Sequence, residues 1–476
     1  MSRDRQFKFT AVKNMGPLLE SVDRLSIDLK HKDNTGILFE KVKFPVGGGS
    51  DLVLTAKNRL AIHPMEGCDA SANGDPTHLT YDRYKRFGRS GAAIVWFEAT
   101  AVTPEGRANP RQLMINTGNV DKFAKIVDTL ESNRQGIIEE RDLDRDVFGD
   151  PIKILQLTHS GRYCRPEKAK YPYRAYTYEA ADRAFGIDPD SGCIVSDDYL
   201  DELKEKYLQA IKHAKAAGFD GVDIKSCHRY LISELLSAFT RQGSKYGGPE
   251  YEDRTRFLLD IVRAAKTKHP DFLVTARLNI YDGLPHPYGF GVSKESESEP
   301  PEPDPTEPIR LIKDLNKLGV FLINFTVGNP YFKPYLSRPY DIPSYGAPNP
   351  PEHPLKSIER VVNVERAVNT KIPESVKTIG TAFSWLRQWA PKFAAGEIKR
   401  GSFDFIGFGR MSFANPEFPI QIYKNGVIDK AKTCITCSKC TDLMRFDSTS
   451  GCPIRHSRKY AKIYGKARRE FKKDQK

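Results

Sequence analysis

The sequence predicts an α/β fold, a closed (β/α)8 TIM barrel followed by a C-terminal cysteine-containing segment and a basic helical tail. Two observations support the barrel. Short apolar runs recur along the chain, and each is followed by a turn rich in glycine, proline or asparagine and then by an amphipathic stretch. Apolar runs without alternation are typical of strands buried on both faces of a parallel sheet. Eight such runs favour a barrel with its chemistry at the carboxyl ends of the strands, and a doubly wound open sheet is the alternative.

The elements follow in chain order. Amphipathic helices are predicted most clearly over residues 199–217, 255–268 and 307–319. The acidic, proline-rich segment 295–308 predicts an exposed loop. The eight predicted strands are residues 58–65, 92–99, 153–162, 218–226, 272–279, 320–329, 375–383 and 403–410.

The chain after the last predicted strand and helix is not needed to complete the barrel. We therefore expect two domains, a barrel over residues 1–425 and a metal-binding segment with the basic tail over residues 426–476.

The composition indicates a soluble protein of a reducing compartment. Hydrophobic residues make up 39% of the chain, and no stretch approaches the ~20 apolar residues that a membrane helix requires. The N-terminus, MSRDRQFKFTAVKN, lacks the apolar core of a secretory signal. Because thiols stay reduced in the cytosol, a cluster of cysteines there suggests ligands and not disulfides. We predict a cytoplasmic protein with no membrane partner.

The formal charge of +13 is concentrated at one end of the chain. Residues 455–476 hold ten Lys or Arg residues against Glu470 and Asp474, so +8 of the charge lies in this tail. The tail is compatible with a solvated surface helix or with docking of an acidic protein. No base-stacking motif accompanies the charge, so we do not expect a nucleic-acid partner.

Four cysteines in this region have the spacing of metal-cluster ligands. Cys434, Cys437, Cys440 and Cys452 are spaced Cys-x2-Cys-x2-Cys-x11-Cys, with a proline after the fourth. Three cysteines at x2 intervals can turn three thiolates inward from one tight loop, which suits a [4Fe–4S] cluster. Zinc is the alternative, although its ligands usually come as two separated pairs. A cluster would make the chain an electron carrier.

The ends of several predicted strands carry polar groups that a flavin requires. Pro64 and Met65 could flank the flavin ring, Gln156 could bind its pyrimidine edge, and Arg277 could stabilise negative charge on it. After the last two strands stand Gly380-Thr381 and Gly409-Arg410, where barrels commonly bind phosphate through backbone N–H groups.

Seven motifs occur in order along about residues 55–455 and together carry a family resemblance. They are IHPMEG, FEATAVTPEGR, QLTHSGR, GFDGVDIKSCHRYLISELLSAFTRQGSKYGGPEYEDRTRF, TARLN, TVGNPY and GFGR. This order resembles the FMN-dependent Old Yellow Enzyme (NADH:flavin oxidoreductase) family. With the four cysteines, it resembles the iron–sulfur branch that includes 2,4-dienoyl-CoA reductase, 2-enoate reductase and trimethylamine dehydrogenase.

The resemblance implies an FMN-binding barrel with the cluster beside it. Tyr230 matches the proton-donor tyrosine of the family, and His228 matches a substrate-anchoring position. Lys225 departs from the family, which often has a histidine there; it could grip a substrate oxygen or lie over the flavin. The residues that would hold FMN are Pro64, Met65, Ala99, Gln156, Arg277, Gly380, Thr381, Gly409 and Arg410.

The second departure is at the end of the sequence. Branch members continue into nucleotide-binding domains after the cluster, whereas this chain has no GxGxxG motif. We therefore expect the cluster to exchange electrons with a separate electron-transfer protein or reductase subunit. NAD(P)H is a candidate direct reductant of FMN, and the oligomeric state, including a homo-oligomer, stays open.

Other polar residues rank lower as site candidates. Of the remaining cysteines, Cys164 and Cys227 are expected to face the pocket because they follow or lie within the motifs. Glu66 and His159 lie at predicted strand ends and could support FMN or act in catalysis.

The predicted activity is hydride transfer between flavin N5 and an activated alkene, with Tyr230 as the acid and His228, together with Lys225, polarising the carbonyl. The alternative enzyme is an amine dehydrogenase that donates electrons to an electron-transfer flavoprotein. A non-catalytic metal scaffold with a basic binding tail would leave the strand-end polar groups without a purpose.

Overall fold

The computed structural model describes residues 14–47, 51–167 and 169–474. The first elements are α1 (Gly16–Arg24), a 3₁₀ turn at Gly36–Phe39 and an antiparallel hairpin of β1 (Val42–Pro45) and β2 (Val53–Ala56). Phe44 of the hairpin packs edge-on against Phe405 with ring centroids 6.4 Å apart. The hairpin therefore covers the amino-terminal end of the strand layer that follows.

Eight strands close into a parallel barrel. In chain order they are β3 (Leu60–Ile62), β4 (Ile94–Ala101), β5 (Ile152–Thr158), β8 (Gly221–Ile224), β9 (Leu273–Tyr281), β10 (Leu322–Val327), β11 (Lys377–Gly380) and β12 (Phe405–Phe408), while β6 (Tyr173–Arg174) and β7 (Cys193–Ile194) form a small separate pair. Each barrel strand pairs with the next in chain order, and β12 pairs with β3. The predicted TIM barrel is confirmed, and the open-sheet alternative is wrong because this last pairing closes the sheet.

Helices surround the barrel between consecutive strands. They are α2 (His78–Gly88), α3 (Val120–Arg141), α4 (Arg145–Phe148), α5 (Glu179–Phe185), α6 (Asp197–Ala216), α7 (Leu231–Leu236), α8 (Tyr251–Lys268), α9 (Thr306–Lys317), α10 (Pro334–Ser337), α11 (Pro354–Asn369) and α12 (Ala390–Arg400), followed by α13 (Arg410–Ala414) and α14 (Phe418–Asn425). The three predicted helices correspond to α6, α8 and α9. The segment 295–308 is largely exposed, and its last three residues begin α9.

Local sequence explains why α6 begins and ends where it does. The hydroxyl of Ser196 accepts a hydrogen bond from the backbone N–H of Tyr199 at 3.1 Å, which satisfies a donor that the first helical turn leaves free. Asp197 and Asp198 lie in the first turn and His213 and Lys215 in the last. These charges complement the helix dipole at both ends.

The chain after α14 lies across the carboxyl end of the barrel. It contains α15 (Lys439–Arg445) and α16 (Ser457–Asp474), so the predicted basic tail is helical. Ser450 N–H donates to the carbonyl of Gly67 at 2.6 Å, which joins this segment to the loop after β3. Within the described part of the chain, no helix is long and apolar enough to cross a membrane.

Candidate functional site

A cavity of about 870 Å³ opens at the carboxyl ends of the barrel strands. Nine of the predicted site residues line it: Pro64, Met65, Gln156, Lys225, His228, Arg277, Thr381, Gly409 and Arg410. They come from six different barrel strands or the loops that follow them. The structure therefore brings these predicted residues together, because parallel strands have their carboxyl ends at one face.

Three predicted site residues do not line this cavity. The carbonyl of Ala99 accepts a hydrogen bond from the Gln112 side chain at 3.0 Å. Gly380 faces the core, where a Cβ atom would lie 2.3 Å from the ring of Phe403. Tyr230 is buried and is not itself a lining residue, but its hydrogen-bond partners Glu66 and Tyr331, described below, line the cavity.

A buried carboxyl group orients the floor of the cavity. Asp223 accepts hydrogen bonds from Gln156 Nε2 at 2.6 Å and from Trp96 Nε1 at 2.8 Å. Burial raises the pKa of Asp223 to about 6, although these hydrogen bonds act in the opposite direction. Since the Gln156 amide nitrogen donates to Asp223, its oxygen is left to accept from an N–H group in the cavity.

Arg277 supplies positive charge to the same floor. Its guanidinium is buried, and Nε has no hydrogen-bond partner among the described residues. Burial lowers the pKa of Arg277 from its usual value. A buried guanidinium without a full set of partners is an anion-seeking group.

Two glycines allow the cavity wall to form. A Cβ atom at Gly407 would lie 2.2 Å from the ring of His63, and one at Gly409 would lie 2.7 Å from Met65 Sδ. His63, which sequence reasoning missed, contacts Asn324 through Nδ1 at 3.2 Å. Burial and the charge of Arg277 hold the pKa of His63 well below its usual value, so this imidazole is neutral.

The turn after β8 presents His228 to the cavity. His228 and Arg229 both have left-handed backbones, with φ of 61° and 62°, a strained arrangement for residues with side chains. His228 Nε2 lies 3.1 Å from Thr326 Oγ1. Burial, followed by the charges of Arg277 and Lys225, holds the pKa of His228 well below its usual value. A neutral imidazole retains one N–H donor and one acceptor.

Four polar groups meet at the cavity edge beside His228. Tyr230 Oη lies 3.1 Å from Glu66 Oε1 and 3.1 Å from Tyr331 Oη. Lys225 Nζ lies 3.5 Å from the same Glu66 oxygen and 3.4 Å from the centroid of the Tyr230 ring. Burial, with the charge of Glu66 second, raises the pKa of the Tyr230 phenol well above its usual value, and burial lowers the pKa of Lys225.

Aromatic rings form one wall of the cavity. Tyr163 lies between Tyr331, at 4.5 Å between ring centroids, and Phe185, at 4.7 Å. Asn329 holds the Tyr163 hydroxyl through a hydrogen bond of 2.6 Å. Such a wall suits a flat or unsaturated ligand.

Three guanidinium groups lie near one another in the cavity lining: Arg338, Arg410 and Arg445. Arg338 Nη2 and Arg410 Nη1 have no hydrogen-bond partner among the described residues. Burial, followed by the charges of Arg410 and Arg445, lowers the pKa of Arg338 to about 10. Like charges held together inside the protein form a site for an anion such as a phosphate.

The backbone contribution to this anion site differs from the expectation. The N–H of Thr381 donates to Glu365 Oε1 at 3.0 Å and is therefore not free for a phosphate. The side chain of Thr381 and the left-handed Ala382, with φ of 79°, line the cavity instead.

The four predicted metal-ligating cysteines line one small cavity of about 20 Å³. Burial raises the pKa of the Cys434 thiol to about 12 and that of Cys440 to about 11. The N–H of Thr436 donates to Cys434 Sγ at 3.4 Å, and the N–H of Arg455 donates to Cys452 Sγ at 3.3 Å. Backbone N–H groups directed at sulfur are favourable for thiolate ligands.

The four cysteines line the same small cavity. In the described ranges, no three His, Cys, Asp or Glu side chains form a group that could hold a single metal ion. Four thiols are the donor set of an iron–sulfur cluster and of a tetrahedral zinc ion alike. Cys440 and Arg410 line both this cavity and the large one.

The lower-ranked residues are distributed differently from expectation. Cys164 and Cys227 do not line the large cavity, and the prediction that they face it is wrong because both thiols are packed in the protein interior. Cys68 and Glu66 line it instead. His159 bonds to the Tyr199 hydroxyl at 2.8 Å, away from the cavity lining.

Sequence reasoning missed several lining residues that lie beyond the strands. Tyr331, Arg338 and Arg445 follow no strand directly, and Arg445 is the last residue of α15. Tyr331 ends the TVGNPY motif and Arg445 lies between Cys440 and Cys452, and these motifs were the signals near them.

Comparison with known proteins agrees with this site. A family model described as the NADH:flavin oxidoreductase / NADH oxidase family matches residues 51–289. An NADH oxidase of Thermoanaerobacter brockii is 25% identical over 388 residues, which are 81% of this chain and 51% of that protein. The chain therefore spans about half the length of this relative.

Solved structures share the fold. A complex of 2-naphthoyl-CoA reductase with 2-naphthoyl-CoA aligns with a TM-score of 0.67 at 17% identity over 88% of this chain and 57% of that one. Histamine dehydrogenase from Rhizobium sp. 4-9 aligns with a TM-score of 0.62 at 18% identity over 89% of this chain and 53% of that one. At these identities the likeness concerns the barrel and its extension.

The family match covers the strands and turns that supply Met65, Gln156, His228 and Arg277, so the resemblance seen in the sequence is confirmed. The chain belongs to the NADH:flavin oxidoreductase / NADH oxidase family of FMN-dependent oxidoreductases.

Proposed function

We propose that the protein is an FMN- and [4Fe–4S]-dependent oxidoreductase that reduces an activated alkene, such as an enoate, an enone or an enoyl thioester. The observation that carries this proposal is the turn after β8, which brings a neutral His228 and the phenol of Tyr230 to one edge of the cavity. A hydrogen-bond donor for a carbonyl and an acid for the adjacent carbon are the two groups that this reaction requires.

The residues of the large cavity fit FMN. Gln156 and Arg277 would hold the pyrimidine edge of the ring, and Pro64 and Met65 would flank it. Arg410, supported by Arg338, would bind the phosphate, because both have guanidinium nitrogens without partners in the described structure. When bound, FMN supplies a hydride at N5 and accepts it in the reverse direction.

The protein groups act on the substrate from the other side. His228 donates to the carbonyl oxygen of the substrate and polarises the double bond. Tyr230 then donates its proton to the α-carbon. Arg277 stabilises negative charge on the cavity floor, where a preorganised cation is most effective because water is excluded.

The rim of the cavity favours a substrate with an anionic group. Arg111, Arg165, Lys170, Arg338 and Arg445 all line the cavity, whereas its acidic lining residues in the described structure are Glu66 and Asp447. Charge-assisted hydrogen bonds to a carboxylate or phosphate would orient such a substrate.

We propose that Cys434, Cys437, Cys440 and Cys452 hold the cluster and that residues 426–476 form the electron-exchange unit of the chain. The position of Cys440 in the walls of both cavities supports this assignment. A short path between the two redox groups permits the cluster to exchange single electrons with an external protein. The basic helix α16, which starts just after Cys452, offers positive charge for an acidic partner.

Amine oxidation is the second candidate function. The aromatic wall of Tyr163, Phe185 and Tyr331 could hold a cation over its rings, and histamine dehydrogenase shares the fold. Lys225 and the basic rim oppose the binding of a cationic amine, and we therefore favour the alkene.

An anaerobic purification followed by flavin, iron and sulfide assays tests the cofactors. We expect FMN in place of FAD and about four iron atoms with acid-labile sulfide per chain. One zinc ion without sulfide would refute the cluster.

Stopped-flow mixing tests the reaction. Dithionite-reduced protein should be reoxidised by an enone or enoyl thioester, and Tyr230→Phe should slow this step by roughly 10²–10⁴-fold while leaving flavin reduction unchanged. Flavin reduction by an amine, with no alkene reduced, would establish the second candidate instead.

A further inference from the structure

Glu66 lies between Tyr230 and Lys225 at the cavity edge. Its Oε1 atom lies 3.1 Å from Tyr230 Oη and 3.5 Å from Lys225 Nζ. The Lys225 side chain is 4% exposed and that of Glu66 is 11% exposed, while Tyr230 is 1% exposed. Bulk water therefore reaches Glu66 more readily than it reaches the phenol.

The loop that carries Glu66 is firmly held. The N–H of Gly67 donates to Glu98 Oε2 at 2.7 Å. Arg83 forms buried ion pairs with both Asp69 and Glu98. A Cβ atom at Gly67 would overlap the Arg83 guanidinium, so the glycine is required for this packing. Glu66 is thus presented to Tyr230 by a rigid support.

The hydrogen bonds of Tyr230 create a requirement for a protonated partner. A phenol has one proton to donate, and in this arrangement it points to Glu66. Tyr331 must then donate to the Tyr230 oxygen. Tyr230 can turn its proton toward a substrate carbon only if Glu66 becomes the donor, which requires that Glu66 be protonated.

The Tyr230 phenolate, which forms when the phenol gives its proton to the substrate, would also be unstable without a proton source. Burial and the nearby carboxylate raise the pKa of the Tyr230 phenol well above its usual value. Tyr331 is itself a buried phenol with a raised pKa, so a proton from Tyr331 would only move the phenolate from Tyr230 to Tyr331. Lys225 is the better donor, since burial lowers the pKa of its ammonium group.

We propose that Glu66 is a proton shuttle that carries a proton from the Lys225 ammonium group to Tyr230 in each catalytic cycle. The inference rests on the proposed function, in which Tyr230 protonates the α-carbon. It assigns Lys225 to proton supply and gives Glu66 a role in catalysis.

The steps balance in atoms and charge. A hydride from the reduced flavin forms the C–H bond at the β-carbon, and the electron pair of the double bond moves to the α-carbon. The O–H bond of Tyr230 breaks and its proton forms the second C–H bond. The carboxyl proton of Glu66 passes to the phenolate, having come from Lys225. Lys225 is left as a neutral amine and takes a proton from solvent through the cavity that it lines.

Glu66→Gln removes proton transfer by residue 66 and leaves the acid, Tyr230, in place. The amide can donate to the Tyr230 oxygen but cannot pass a proton on. With dithionite-reduced protein and excess enone, the first reoxidation of the flavin should stay within about threefold of wild type. Later turnovers in excess dithionite should slow by roughly 10²-fold, which is the rate enhancement that a positioned proton-transfer group typically contributes. Tyr230→Phe should slow the first reoxidation as well.

A matched variant controls for the chemical change. Glu105 contacts the Tyr199 hydroxyl at 3.0 Å and lies outside the cavity lining. Glu105→Gln makes the same substitution at another tyrosine–carboxylate pair and should leave both phases unchanged. Lys225→Met should slow the first reoxidation as well as the later turnovers, because Glu66 then has no ammonium group from which to take a proton. Added methylamine should restore part of both.

A measurement without turnover completes the test. In flavin-free protein, the absorbance change of tyrosine ionisation should begin at lower pH in Glu66→Gln than in wild type. This difference should vanish when Glu66→Gln/Tyr230→Phe is compared with Tyr230→Phe.

Failure of the proton shuttle and failure of the proposed function would give different results. Equal first and later turnovers in wild type and Glu66→Gln would overturn the shuttle and leave the proposed function standing. A wild-type protein that reduces no alkene would overturn the proposed function and the shuttle with it.

Discussion

At the scale of single residues, burial decides which protonation states the site can use. His228 and His63 are kept neutral by the apolar barrel interior and by Arg277. A neutral imidazole can donate to a carbonyl without adding a second full charge beside Arg277. Placing His228 in the cavity wall requires two consecutive residues with left-handed backbones after β8, which is a source of conformational strain.

The neutral state of His228 has a measurable effect on stability. Its folded pKa lies well below 6.5, so the unfolded chain binds more protons as pH falls through 6.5. His228 therefore stabilises the fold above that pH, and the contribution is lost on acidification. Compared with His228→Gln, wild type should lose up to about 1.4 kcal/mol of unfolding free energy per pH unit below 6.5. Urea unfolding of both flavin-free proteins from pH 8 to pH 5 measures this. A constant difference between them would show that folding leaves the pKa of His228 unchanged.

At the scale of elements, the eight strands were predictable and the long loops were not. Continuous apolar runs mark strands buried on both faces whatever the loops do. Tyr331 and Arg338 reach the cavity through the chain between β10 and α11, where no periodicity specifies the path. Of the residues transferred by resemblance, Gln156 and Arg277 lie within strands and line the cavity. Ala99 does not line it, and its carbonyl accepts a hydrogen bond from the Gln112 side chain.

We expect substitution of Cys437 and of Cys440, two of the proposed cluster ligands, to have different effects. Cys437 lines only the small cavity, whereas Cys440 lines both. Cys437→Ser should degrade the cluster and leave FMN bound. Cys440→Ser should degrade the cluster and also weaken FMN or substrate binding, because it alters the shared wall. Iron and flavin content after gel filtration distinguishes them. Equal loss of FMN in both variants would show that the cluster and the flavin site are not separable.

At the scale of the whole molecule, the cavity combines the Lys225–Glu66 ion pair at its reaction edge with a group of three arginines. Arg338, Arg410 and Arg445 repel one another inside the protein, and an anion would relieve this repulsion. If these arginines bind the flavin phosphate as proposed, the protein should bind FMN more tightly than riboflavin. Relief of the repulsion by the phosphate would then explain three neighbouring guanidinium groups.

A flavin titration tests this preference for FMN. Flavin-free protein should gain more thermal stability from FMN than from riboflavin, since only a ligand bound to the native state stabilises it in proportion to its affinity. Arg410→Met should weaken FMN binding by roughly tenfold to 150-fold, the effect of losing one charge-assisted hydrogen bond of about 1.5–3 kcal/mol. Riboflavin binding should change little. Arg263→Met, on the outer face of α8, is the control. Equal losses for both flavins would place Arg410 away from the phosphate.

The wall shared by the two cavities also bears on how the protein is assembled during synthesis. Every barrel strand precedes Cys434 in the chain, whereas Cys440, Met444 and Phe471 complete the wall from a segment made after the barrel. Because a chain emerges from the ribosome N-terminus first, the barrel can close while its carboxyl end is still uncovered. Flavin can then enter through a wide opening, and the cysteine loop and α16 fold down over it afterwards. Insertion of the iron–sulfur cluster would become the step that seals the finished active site.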